Sequence, residues 1–108
     1  MWTRLVDVAQ LPPGRGFIVE REGGALAIFI VDGRPHVLEN RCPHRDGDLG
    51  AGEVHGGCVY CPLHAWPFDL LTGVSPRYPR ASVHIFPSRI EGGWVEAELE
   101  IAAAPKES

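Results

Sequence analysis

The chain has 108 residues, enough for one domain, 1–108, with a modest core. Its formal charge of -4 argues against nucleic acid, which requires a basic face, and three cysteines, an odd count, argue against an all-disulfide secreted framework. The longest apolar run, Ala25 to Val31, is far too short to span a bilayer, and the N-terminus lacks the apolar stretch of a signal peptide, so the expected location is the cytoplasm.

In chain order, Trp2 to Val8 reads as a first strand, broken by Leu11-Pro12-Pro13-Gly14. Gly16 to Glu22 reads as a second, with Gly23-Gly24 as a hairpin turn into a buried strand, Ala25 to Val31. Asp32-Gly33 is a strong hairpin signal, and Pro35 to Glu39 returns from it. After a glycine-rich loop, Asn40 to Gly52, two short strands, Glu53 to His55 and Cys58 to Tyr60, pair across Gly56-Gly57. Phe68 to Leu71 is a further short strand ended by Thr72-Gly73, and Val74 to Ala81, with Pro76 and Pro79, is irregular connection. Ser82 to Ile90 and Trp94 to Ile101 are strands joined at Gly92-Gly93, Pro87 marking an edge or a bulge in the first. Residues 102–108 read as a frayed tail, and no helix is expected. Short strands separated by glycine-rich turns predict an all-β antiparallel sandwich or small barrel.

Two segments carry the chemistry. Cys42-Pro43-His44 and Cys61-Pro62-Leu63-His64 each offer one thiolate and one imidazole, with residues 45–60 between them. Soft sulfur with borderline nitrogen selects an iron–sulfur centre or zinc and is a poor match to calcium or magnesium. Zinc sites usually repeat like with like, whereas each half here is mixed. That suits two irons, each loop sending a Cys to one and a His to the other. Pro43 and Pro62 bias the preceding Cys toward extended geometry, which partly preorganises the thiolates. A bound cluster would also explain how so long a loop as Asn40 to Gly52 is held.

With its flanks, this pattern resembles the Rieske [2Fe–2S] proteins, in which two His replace two Cys on one iron. Besides the four candidate ligands, Leu49, Gly50, Gly52, Ala65-Trp66, Phe68-Asp69 and Thr72-Gly73 fall where Rieske ferredoxins have such residues, and the likeness covers about Trp2 to Ile101. It implies a three-sheet β fold with a small cluster-binding subdomain at about residues 40–70. It implies one [2Fe–2S] cluster per chain on Cys42, His44, Cys61 and His64, and one-electron transfer between redox proteins. Membrane-anchored respiratory relatives carry an extra Cys in each cluster loop; Gly47 and Leu63 stand in those places here. Relatives of high potential have a Ser and a Tyr whose hydroxyls bond the cluster sulfurs. Ala65 and Pro67 replace them, which implies a potential near the low end of the Rieske range, roughly −150 mV.

The expected role is a ferredoxin component serving a reductase and a terminal oxygenase, since the chain has no evident second iron site of its own. The small subunit of an NAD(P)H-dependent nitrite reductase, bound to its large subunit, is the rival within the resemblance. A zinc-stabilised interaction module is the rival outside it. Neither role makes the chain catalytic by itself. Trp66 and Pro67, directly after the second ligand pair, read both as shielding and as a docking surface, with Arg45 placed to orient an acidic partner. Cys58 reads as an inert strand residue, His36, His55 and His84 as packed or surface side chains, and Asp46 and Asp48 as solvated turn residues.

Overall fold

The computed structural model describes residues 2–12, 15–43 and 47–99. Among the described residues, ten strands form three antiparallel sheets. In chain order they are β1 (Trp2–Asp7), β2 (Phe17–Val19), β3 (Leu26–Val31), β4 (Arg34–Glu39), β5 (Glu53–His55), β6 (Cys58–Tyr60), β7 (Pro67–Asp69), β8 (Ile85–Phe86), β9 (Ser88–Glu91) and β10 (Trp94–Glu98). The sheets run β1-β10-β9, β2-β3-β4-β8 and β5-β6-β7.

The four-stranded sheet is the shared wall of the molecule. Successive side chains on a strand point to opposite faces, and β3 is buried on both. Ala27 and Phe29 join Leu38, Val59, Phe68 and both Cys42 and Cys61 in one core. Leu26 and Ile28 join Val37, Val6, Val95 and Ala97 in the other. The unbroken apolar run Ala25 to Val31 is therefore the sequence of a strand with no solvent face. Side chains such as Phe68, Ile28 and Leu38 are fully buried, each contributing about 1.5–3 kcal/mol by removal from water.

The turns follow their residues. Asp32 and Gly33 both take positive φ, 53° and 78°, the geometry of a two-residue hairpin loop whose twist matches its strands. On the far face of the β1-β10-β9 sheet, Glu96 is 7% exposed despite its charge. The Arg89 Nε donates to it at 2.9 Å and Arg4 lies 3.6 Å away, while these two guanidiniums also cover the rings of Trp2 and Trp94.

Four expectations change. The first strand ends at Asp7, whose carboxylate accepts from the Ala9 N–H and starts a short 3-10 helix, Val8–Gln10. The second strand is only Phe17–Val19, because the chain turns at Arg21–Gly24 as soon as it has paired with Leu26 to Ile28. The single strand expected over Ser82 to Ile90 is two strands on two sheets, β8 against β4 and β9 against β10. Pro87 divides them: it has no N–H for either ladder, and its carbonyl accepts from the Glu98 N–H. The last strand, expected to run to Ile101, ends at Glu98 and leaves Leu99 outside it, and the expected tail, 102–108, lies outside the described residues. No helix among the described residues is long and apolar enough to cross a membrane.

Candidate functional site

The β5-β6-β7 sheet and the loops flanking it form the subdomain expected near residues 40–70. The first loop leaves β4 at Asn40. The Asn40 carboxamide braces it twice, its oxygen accepting from the Gly50 N–H at 2.6 Å and its nitrogen donating to Asp48 at 3.1 Å. A 3-10 turn, Leu49–Ala51, then seats Leu49 fully in the core. Gly50 is required there, because a Cβ would overlap Ile18 Cγ1 on β2. Asp48, read from sequence as a solvated turn residue, is exposed and accepts from Asn40.

The second loop, between β6 and β7, is closed by two hydrogen bonds, Cys61 N–H to the Trp66 carbonyl (2.9 Å) and Ala65 N–H to the Cys61 carbonyl (2.8 Å). Its return places Ala65 at φ 58°, a left-handed conformation that explains why glycine would suit that position. Pro67 is buried as the first residue of β7, and Trp66 is half-buried.

Three of the four expected ligands are described. Cys42 and Cys61 are 0% and 1% exposed, neither is in a disulfide, and both belong to the same core cluster. His64 is exposed, beyond Cys61 on the outer side of its loop. His44, like Arg45 and Asp46, lies outside the described residues, and among the described ones no three His, Cys, Asp or Glu side chains are grouped as a metal ion would need.

The site nevertheless has features that suit a sulfur-ligated centre. The Cys42 N–H donates to the Gly47 carbonyl at 3.0 Å, curling the first loop back on itself. A Cβ on Gly47 would lie 2.7 Å from Cys61 Sγ and 3.2 Å from Leu63 Cδ1. The two loops thus touch at Gly47 and Leu63, the places where an extra cysteine pair was noted as missing, and glycine leaves the Cys61 thiol uncrowded. Two reduced thiols on neighbouring loops, both shut from water, form a donor set for a soft metal.

The other candidates fall into structural roles. Cys58 faces Asp69 across β6 and β7, and burial first, then the Asp69 charge, pushes its thiol pKa up, away from a reactive thiolate. His36 is half-buried on β4; desolvation lowers its pKa, Arg34 adds to that, and a hydrogen bond to the Leu70 backbone and the Asp69 charge oppose it. His55 lies 3.0 Å from Glu53, and His84 packs edge-on against Phe86. Asp69 accepts from the Leu71 and Thr72 N–H groups, so Phe68-Asp69 and Thr72-Gly73 shape a turn rather than supply ligands.

Sequence reasoning missed the third wall of the site. The segment read as irregular connection folds over the ligand loops, and Tyr78 stacks on Trp66 with ring centroids 3.9 Å apart and planes 19° from parallel. The signal was present as Arg77, Tyr78 and Arg80 interleaved with Pro76 and Pro79, downstream of the second loop.

Residues 1–87 match the family of the Rieske [2Fe–2S] domain. Over 104 residues the chain is 33% identical to a biphenyl dioxygenase ferredoxin subunit of Pseudomonas sp. (strain KKS102), covering 94% of this chain and 95% of that one. It is also 41% identical over 70 residues to a cholesterol 7-desaturase of Ciona intestinalis, of whose length it spans only 15%. Its fold is similar to the ferredoxin of Sphingomonas yanoikuyae B1 (TM-score 0.80, 35% identity, 89% of this chain and 96% of that). It is similar also to a putative NADH-dependent nitrite reductase small subunit of Mycobacterium tuberculosis (TM-score 0.80, 28% identity, 90% and 93%). With the β-sheet architecture and the paired buried cysteines, these likenesses make the chain a member of the Rieske [2Fe–2S] family, an electron carrier whose cofactor is a two-iron, two-sulfide cluster.

Proposed function

We propose that Cys42 and Cys61, with His44 and His64, hold the [2Fe–2S] cluster, and that the chain is the ferredoxin component of an oxygenase system in the cytoplasm. In this reading 1–108 is a single domain. It takes electrons from a reductase and gives them to a terminal oxygenase. The observation that carries the ligand assignment is the burial of two unoxidised cysteines on touching loops inside one core. When bound, the cluster supplies one-electron redox chemistry at a potential set by its ligands and surroundings. The protein's part is to keep water from the two thiols, to present His64 at the surface, and to fix both loops through the Asn40, Gly47 and Trp66 hydrogen bonds. Rigid loops suit outer-sphere transfer, since little rearranges between the two redox states.

The purified protein is expected to be red-brown, with two irons and two sulfides per chain. Cys42→Ser and Cys61→Ser should each lose the colour, whereas Cys58→Ser should keep it. A colourless wild type that binds zinc would overturn the assignment, and loss of iron from Cys58→Ser would move a ligand to β6.

Similarity to a nitrite reductase small subunit favours a second reading, in which the chain is a subunit of such an enzyme. Copurification of a large flavin and haem protein would favour that reading. Transfer to an oxygenase by the isolated chain would favour the first.

A further inference from the structure

Beside the ligand loops lies a groove of about 680 Å³, open to solvent. Its walls are Pro43, which follows Cys42, Trp66, two residues after His64, and Tyr78 and Ala81 from the third segment; Arg77, Pro79 and Arg80 complete it. We infer that this groove is the docking surface for a redox partner protein that presents acidic side chains around an apolar projection. The inference rests on the electron-carrier reading and specifies the partner.

Position comes first. Both ligand loops contribute a wall, so whatever fills the groove lies next to the electron's point of exit. Rigidity comes second. Tyr78 N–H donates to the buried Ser75 Oγ at 3.0 Å, Ala81 N–H to the Tyr78 carbonyl at 2.7 Å and Ser75 N–H to the Ala81 carbonyl at 3.0 Å. With the Tyr78–Trp66 stack, these bonds preform the groove, so binding costs little ordering. Aromatic rings beside arginines are the composition of interface hot spots, and here they are exposed or half-exposed.

Charge commits the occupant. The chain as a whole is anionic, -4, yet residues 76–82 contain two arginines and no Asp or Glu. Among the described residues neither Arg77 nor Arg80 is in an ion pair; Arg77 lies over the Tyr78 ring at 5.8 Å. By contrast, Arg4 and Arg89 at the far sheet are committed to Glu96. A cationic spot on an anionic molecule, placed at the cluster loops, turns that face toward an acidic partner during encounter and repels a basic one.

The test uses two cobalt(III) oxidants of opposite charge, tris(oxalato)cobaltate(III) and tris(phenanthroline)cobalt(III). In each, one electron leaves the reduced protein and converts Co(III) to Co(II), with no proton transferred. For the wild type, oxidation by the anion should slow as salt rises, against the direction that the net charge demands. The double variant Arg77→Glu/Arg80→Glu should lose about tenfold with the anion at low salt and gain with the cation, its visible spectrum unchanged. A second readout needs no electron transfer: the redox-inert, paramagnetic hexacyanochromate(III) ion should broaden the amide NMR signals of Arg77, Tyr78, Arg80 and Ala81 of the wild type most strongly. Equal rates for wild type and variant, or broadening centred on another surface, would overturn the docking assignment while leaving the electron carrier intact. If the variant loses its spectrum, Arg77→Gln/Arg80→Gln and the NMR map of the wild type decide. A protein with no iron at all would sink the underlying reading, and the NMR map would still judge the groove.

Discussion

Ala65 holds a conformation that an L-residue adopts at a cost of about 1–2 kcal/mol, and it does so one position past His64. Glycine would remove that cost but would lose about 0.5–1 kcal/mol of backbone freedom on folding. Ala65→Gly should therefore raise stability by about 0.5–1 kcal/mol, read from the urea midpoint at unchanged slope. His36 gives a pH signature. Its folded-state pKa lies below the ordinary 6.5, so near neutrality the unfolded chain binds more protons than the folded one. Its contribution to stability is present above 6.5 and is lost as pH falls toward the lowered folded value. His36→Gln should flatten the loss of stability as pH falls below 6.5, measured as urea midpoints of the two proteins over a pH series. An unchanged slope would place the titration elsewhere.

At the scale of elements, the 3-10 turn Leu49–Ala51 ties the first ligand loop to β2, and the tie depends on one missing side chain. Gly50→Ala must push Ile18 or the turn aside, at about 1–3 kcal/mol. The same displacement strains the Asn40 bond to the Gly50 N–H, so cluster retention on storage should fall together with the thermal midpoint. A drop in midpoint with full retention of iron would separate the turn from the site. Glycine pairs at 23-24, 56-57 and 92-93 and the Asp32-Gly33 step made the hairpins legible from the sequence, because each needs positive φ. The division at Pro87 was only half legible: proline announces a break in a ladder and Gly92-Gly93 pairs the second half with β10, but that the first half joins β4 depends on contacts remote in sequence. The ligand pairs announced themselves by residue type and spacing, whereas the groove wall at 77–81 did not. Its arginines and tyrosine were visible in the sequence, but their meaning arises from Tyr78 stacking on Trp66, a contact that the spacing does not announce.

For the whole molecule, the decisive feature is that β3 and β4 are the common wall of two cores. The core toward β5-β6-β7 contains both thiols; the core toward β1-β10-β9 contains neither. Removing the cluster should thus loosen one side and spare the other. Hydrogen exchange on the apoprotein should show fast amides over residues 40–66 and slow ones in β1, β3 and β10. Uniform loss of protection would show that the two cores melt as one. This arrangement bears on how the protein is made and repaired. A newly synthesised chain can fold its outer half without metal and wait, its cysteine loops ajar, as a ready acceptor for cluster insertion. A molecule whose centre has been destroyed by oxidation can return to the same waiting state and be refilled without being unfolded and degraded.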